Sequence, residues 1–222
     1  MSNSSISAAD RIREKKKRFL DREQRIIDAS LRLLLQRGVD NVTVSAIAQE
    51  AGVGKGTVYK HFLTKTEILM SIILNYEQNI SAKLRAGIDA SERGDSGATP
   101  RAYFRARLEN PAVDRLVQQL EVRLQGDPQV KAQMDELNKL RLSNINALNA
   151  TTETLIAKGV LEDVPPHFHY LACWALAKGA VEVYFNSSFA SLIDDKEQLL
   201  DFLTNIGITM GNRGQLKTAG SP

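Results

Sequence analysis

The sequence predicts an all-α chain. Apolar residues recur at three- and four-residue spacing along nearly its whole length, and no run alternates with the two-residue period of a strand. Glycines and prolines stand between these runs, where helices stop and start. Ser, Thr and Asp residues precede several runs, as helix N-caps do.

The first helix carries Ile27, Leu31, Leu34 and Leu35 on one face and ends at Gly38. A short second helix opens on Thr43 as N-cap and stops at Gly52. A third short segment runs from Lys55 to His61. Thr64 and Glu67 stand at capping-box spacing, and Leu63 and Ile68 at hydrophobic-staple spacing, so a long helix should start there. Its buried stripe would be Leu69, Ile73, Tyr76, Ile80 and Leu84. Residues 91–100 read as a loop. Helices follow over about 101–109, 111–125 and, after Gly126 to Pro128, to about Lys158. The pair Pro165 and Pro166 breaks the chain again. The last two helices are expected over about 167–189 and 195–210, the latter capped by Asp194, and residues 211–222 as a disordered tail.

With 222 residues the chain can bury a substantial core. Its single cysteine, Cys173, excludes an internal disulfide. The longest apolar stretch, 170–185, is interrupted by Lys178 and Glu182, which favours a buried helix over a membrane span. The N-terminus lacks the apolar core of a secretory leader, so a cytoplasmic protein without a membrane partner is expected. Charge is unevenly distributed. Residues 1–65 hold 13 Lys/Arg against 7 Asp/Glu, whereas the remainder is slightly acidic. Much of the excess lies in "RIREKKKR", Arg11 to Arg18, read here as a basic flexible arm over residues 1–20 that could equally extend the first helix. Such asymmetry suggests a polyanion partner for the first part of the chain. A solvated charged tail is the plainer alternative.

The segment "AGVGKGTVYKHF", Ala51 to Phe62, tests that suggestion. Glycines beside Lys and Thr resemble a phosphate loop, but a P-loop needs Ser or Thr after the lysine and Gly56 stands there instead. The dinucleotide pattern fails too, with Thr57 in place of its third glycine. A helix-turn-helix accounts for each residue. Small Ala48 lets two short helices cross, while Ile47, Val53, Val58 and Phe62 plug the space beneath them. Gly52 supplies the positive φ of the turn, and Gly54 caps the second helix. Gly56 in the first helical turn costs about 1 kcal/mol relative to Ala, a cost that close approach of DNA would offset.

"TVSAIAQEAGVGKGTVYKHFLTKTEIL" resembles the DNA-binding signature of the tetracycline-repressor (TetR) family, and the resemblance extends over about residues 22–75. Gly54 departs from the family's usual Ser or Thr, and Leu34 stands where an aromatic is common. The resemblance implies a helix-turn-helix domain over 21–66 and a helical ligand-binding and dimerisation domain over 67–210. It implies DNA-backbone contacts by Thr43, Tyr59, His61 and Lys65, and base-edge contacts by Lys55, Gly56, Thr57 and Lys60. Tyr59 and His61 could instead pack beneath the helix. The implied partners are double-stranded operator DNA, a second copy of the chain, and an unidentified apolar or amphipathic small molecule that releases a repressor from its operator. A DNA-binding structural or cell-division factor of the same fold is the alternative.

For a ligand cavity the candidates are Tyr76, Tyr103, Phe104, Trp174 and Asn144, each of which could equally be core or surface. For the dimer interface they are Ala172, Ala175, Gly179, Ala180 and Val183 on one helix, and Leu199, Phe202, Leu203 and Ile206 on the next. His167, His169 and Cys173 lack a clear fourth ligand, so no metal is expected. Nothing marks a nucleophile elbow, no cofactor is implied, and an enzyme is not expected.

Overall fold

A computed structural model describes residues 7–212 as nine α-helices with two short 3-10 segments, and no strand among those residues. The helices are α1 (Ala8–Arg37), α2 (Val44–Glu50), α3 (Lys55–His61), α4 (Lys65–Glu92), α5 (Ala98–Leu108), α6 (Pro111–Leu124), α7 (Lys131–Ala157), α8 (Pro166–Phe185) and α9 (Lys196–Thr209). The 3-10 turns are Pro128–Val130 and Ser187–Leu192.

Two apolar clusters organise these helices. The first joins α1, α2 and α3 to the start of α4, and continues through Leu116, Val117, Leu120 and Leu124 of α6 to Leu137 of α7. The second gathers the rest of α4 with α5, α7, α8 and α9 around Phe104, Ala177 and Val181. Helix α4 threads both. The helix-turn-helix therefore shares its core with α6.

Local expectations hold at most boundaries. Thr43 caps α2 by accepting from the Ala46 amide at 3.2 Å, and Thr64 caps α4 by accepting from the Glu67 amide at 3.2 Å. Three differ. The Glu67 carboxylate reaches the Leu63 amide at 2.6 Å, one residue before the N-cap; Leu63 stays 75% exposed and forms no staple with Ile68. The cap of α9 is Asp195 rather than Asp194, because its carboxylate accepts from both the Glu197 and Gln198 amides. Residues 8–20 form no separate arm. Ser7 caps them at Asp10, and these strong helix formers continue α1 outward with the side chains of 9–20 exposed. At 1.5 Å per residue they project about 20 Å beyond the body. Residues 1–6 and the tail from 213 lie outside the described part of the chain.

Candidate nucleic-acid interface and cavity

Helices α2 and α3 meet at a turn made by Gly52, whose φ of 65° is the left-handed conformation that glycine adopts without strain. Ile47 and Val58 are fully buried and Ala48 nearly so, which fixes how the two helices cross. Gly54 caps α3 through its backbone alone, with no side-chain bond. The outer face of α3 presents Lys55, Gly56, Tyr59 and Lys60, with Thr57 half-buried between them. A Cβ built on Gly56 would meet no atom of the protein within 4 Å. Nothing inside the chain requires glycine there.

Two residues expected at the DNA backbone also have partners inside the chain. The His61 side chain is 1% exposed; it stacks on Phe19, ring centroids 4.0 Å apart, with Nδ1 3.4 Å from Glu23. Its imidazole is turned toward α1 and away from solvent, and it locks the projecting part of α1 onto α3. Lys65 Nζ donates to the Val39 carbonyl at 2.6 Å, tying the start of α4 to the α1–α2 turn. Burial lowers its pKa, Arg123 adds to the lowering, and Asp40 opposes it.

A cavity of about 620 Å³ opens among α4, α5, α6, α7 and α8. Tyr76, Tyr103, Asn144 and Trp174 line it, joined by Ile80, Leu84 and Leu148 as apolar wall. Phe104 does not: it is fully buried on the opposite side of α5, where a Cβ on Gly207 of α9 would lie 2.1 Å from its ring. Apart from Asn144, the charged and amide groups of the cavity carry no signal in the sequence. Arg107 lies on α5 one turn after Tyr103, its Nε 2.9 Å from the Asp114 carboxylate. Asp114 is fully buried and also accepts from the Tyr76 hydroxyl and from Gln118. Burial opposes the Arg107 charge, but Tyr103 and Asp114 beside it raise its pKa overall. Arg141 donates to Glu77 at 3.0 Å and to Glu121 at 2.5 Å. In sequence, Arg107 and Arg141 look like ordinary surface charges on amphipathic helices. Their only clue was position, one turn from a cavity candidate.

The proposed dimer face divides in two. Ala175, Gly179, Phe202 and Ile206 are exposed, and Ala172, Val183 and Leu199 half-exposed. Leu171 at 48% and Phe168 at 51% exposure extend the same stripe of α8. Ala180 does not belong to it: at 2% exposure it packs in the second cluster beside Ala177 and Val181, one position round the helix from Gly179. Leu203 also packs against that cluster. Among the described residues no group of three His, Cys, Asp or Glu side chains is placed to hold a metal ion, and His169 Nε2 lies 3.0 Å from the Glu162 carbonyl oxygen. No helix there is long and apolar enough to cross a membrane.

Residues 26–72, which span α1 to the first turns of α4, match the family model described as "Bacterial regulatory proteins, tetR family". This stretch carries the tetR-family DNA-binding signature, and it covers about a fifth of the chain. Over 50 residues it is 46% identical to the HTH-type transcriptional regulator SrpR of Pseudomonas putida, a match covering 22% of this chain and 24% of the relative. It is 37% identical over 68 residues to the regulator AcrR of Shigella flexneri, covering 31% and 32%. These matches thus span about a quarter to a third of the curated relatives. The fold extends further. A TetR/AcrR-family regulator from Thermobifida fusca superposes with a TM-score of 0.64 at 18% identity, over 87% of this chain and all of the other. AibR, solved with isovaleryl coenzyme A and operator DNA, superposes at 0.60 and 14% identity, over 83% and 97%. The sequence likeness is thus concentrated in the helix-turn-helix, while the C-terminal helices share a fold with TetR proteins of different sequence.

Proposed function

We propose that this chain is a homodimeric transcriptional regulator, most simply a repressor, that leaves a palindromic operator when a small molecule occupies the cavity. The observation that carries this reading is the double duty of α6. One face lines the cavity through Gln118, Glu121 and Val122. The other buries Leu116, Leu120 and Leu124 in the same cluster as Ile47 and Val58 of the helix-turn-helix. At its end Arg123 pairs with Asp40 in the α1–α2 turn at 2.7 Å. A ligand that displaces α6 must therefore move the DNA-binding helices as well.

Lys55, Gly56, Thr57 and Lys60 would read base edges in the major groove, and Thr43 and Tyr59 would position the helix on phosphates. The projecting basic helix of α1, with six Lys/Arg between Arg11 and Arg18, would add backbone contacts. The exposed stripe of α8 and α9 would pair with its copy around a two-fold axis, matching the protein's symmetry to that of the operator. Differential affinity of the ligand for a form with mis-spaced recognition helices then drives release, and DNA must weaken ligand binding by the same factor. A cavity of this size also weighs against a DNA-binding factor that takes no ligand.

The reading is tested by selecting an operator from a random oligonucleotide pool, then titrating compounds that shift the protein's melting temperature into the preformed complex. Ligands that lower operator affinity support it. Tight cavity ligands that leave affinity unchanged refute the inducible part.

A further inference from the structure

We infer that the cavity takes an amphipathic monocarboxylate: an anionic head met by Arg107, Tyr103 and Asn144, with an apolar alkyl or aryl body along Leu84 and Trp174. This rests on the cavity being the effector site proposed above.

The decisive feature is which hydrogen-bonding groups are already used. Each buried acid of the cavity region is engaged. Asp114 accepts from Tyr76 and Gln118 and sits against Arg107, and Glu77 and Glu121 both hold Arg141. Glu182 of α8 also lines the cavity without an ion-pair partner, but it sits at the exposed border, so a cationic ligand would find no free carboxylate in the interior. What is left over is donor capacity. The Tyr103 hydroxyl, on a side chain in a residue 4% exposed, has no hydrogen-bond partner in the protein. The Asn144 amide nitrogen is likewise unpartnered, while the Asn144 oxygen accepts from the Ser81 hydroxyl at 2.8 Å and fixes the amide's orientation. Arg107 Nε is close enough to Asp114 for an ion pair but lacks hydrogen-bond geometry to it. A buried donor without an acceptor is costly to keep. A ligand that supplies acceptor oxygens removes that cost, and a carboxylate does so with charge-assisted bonds to a guanidinium.

The positions of these groups agree. Tyr103 and Arg107 are one helical turn apart on α5, and the Arg107 guanidinium carbon lies 5.8 Å from the Tyr103 ring centre. Asn144 faces them from α7. Lys178 lies over the Trp174 ring, 5.0 Å from its centre, and adds positive charge where α8 borders the cavity.

Trp174 is the chain's only tryptophan, so its fluorescence reports occupancy directly. The full-length protein would be titrated, below aggregation concentrations, with decanoate, decan-1-ol and decyltrimethylammonium, and with 4-phenylbutyrate to compare an aryl body. At least one carboxylate should bind about tenfold or more tightly than the alcohol, and the ammonium most weakly. Tyr103→Phe removes only an unpartnered hydroxyl, so the variant should melt no lower than the parent, while the carboxylate-to-alcohol preference falls about fivefold or more. Equal binding of decanoate and the alcohol, tightest binding of the ammonium, or a Tyr103→Phe variant with unchanged preference would each overturn the inference. Operator release is read separately. An ammonium compound that binds best and releases DNA leaves the regulator reading standing and defeats this one. A carboxylate that binds best without releasing DNA does the reverse.

Discussion

Replacing Gly56 by alanine should move stability and DNA binding in opposite directions. Gly56 is the second residue of α3, is exposed, and has open space where a Cβ would go. Its φ is not positive, so alanine introduces no backbone strain. Alanine in a helix interior is favoured over glycine by about 1 kcal/mol, less in the first turn, so Gly56→Ala should stabilise the free protein by about 0.5–1 kcal/mol. For a chain of this size that is a rise in melting temperature of about 1–4 °C. In the proposed complex the same methyl would meet DNA packed against the α3 backbone. Overpacking a fitted contact costs about 1–3 kcal/mol, which is about a 5- to 150-fold loss of operator affinity. Calorimetric melting of the free protein and fluorescence anisotropy on the selected operator measure the two effects. A variant that is stabilised yet binds DNA as tightly as the parent would show that α3 does not approach DNA at Gly56. A destabilised variant would show that glycine serves the fold, and the argument from open space would fail.

Other outcomes follow from single contacts. Gly207→Ala forces a methyl to within 2.1 Å of the fully buried Phe104 ring, so it should lower stability in urea unfolding by about 1–3 kcal/mol or more. Lys55→Ala should relax sequence preference at one operator position by about 1–3 kcal/mol in competition binding, with little change in stability. Lys65→Ala should weaken all sequences alike and also lower stability by about 1 kcal/mol, because it deletes the bond to Val39. Burial raises the Cys173 thiol pKa from 9.0 to about 11. Its alkylation by iodoacetamide at pH 8 should therefore run about a hundredfold slower than that of an unperturbed thiol, since only the thiolate reacts. A fast reaction would mean that the packing of α8 against the second cluster opens readily.

Local signals were legible wherever a structure is decided by neighbours in the chain. Thr43, Gly52 and Thr64 do what their types and offsets indicate, because caps and tight turns involve residues at most four apart. The stripe from Leu69 to Leu84 was readable because its helical period keeps one face of α4 inward along both clusters. Reading failed where contacts join distant residues. His61 is buried by Phe19 and Glu23, about forty positions earlier, and nothing in the recognition motif signals that. Helix α5 packs on more than one neighbour, so its apolar pattern could not show that Phe104 faces α9 while Tyr103 faces the cavity. Ala180 and Gly179 are adjacent small residues on a helix apolar nearly all round, and composition does not separate its core face from its open one. The Arg107–Asp114 pair joins two helices across an intervening turn. Each residue alone reads as solvated charge.

The central claim is that two copies of this chain read DNA through α3, with phosphate contacts supplying much of the affinity. The measurement that tests it most directly is operator affinity across a salt series, on a site selected from a random pool, with stoichiometry fixed by sedimentation of the complex. The expected result is enrichment of a palindrome, two protein chains bound per site or a multiple of two, and log K falling linearly and steeply with log[salt]. No enriched palindrome, one chain per site, or a flat salt response would contradict it.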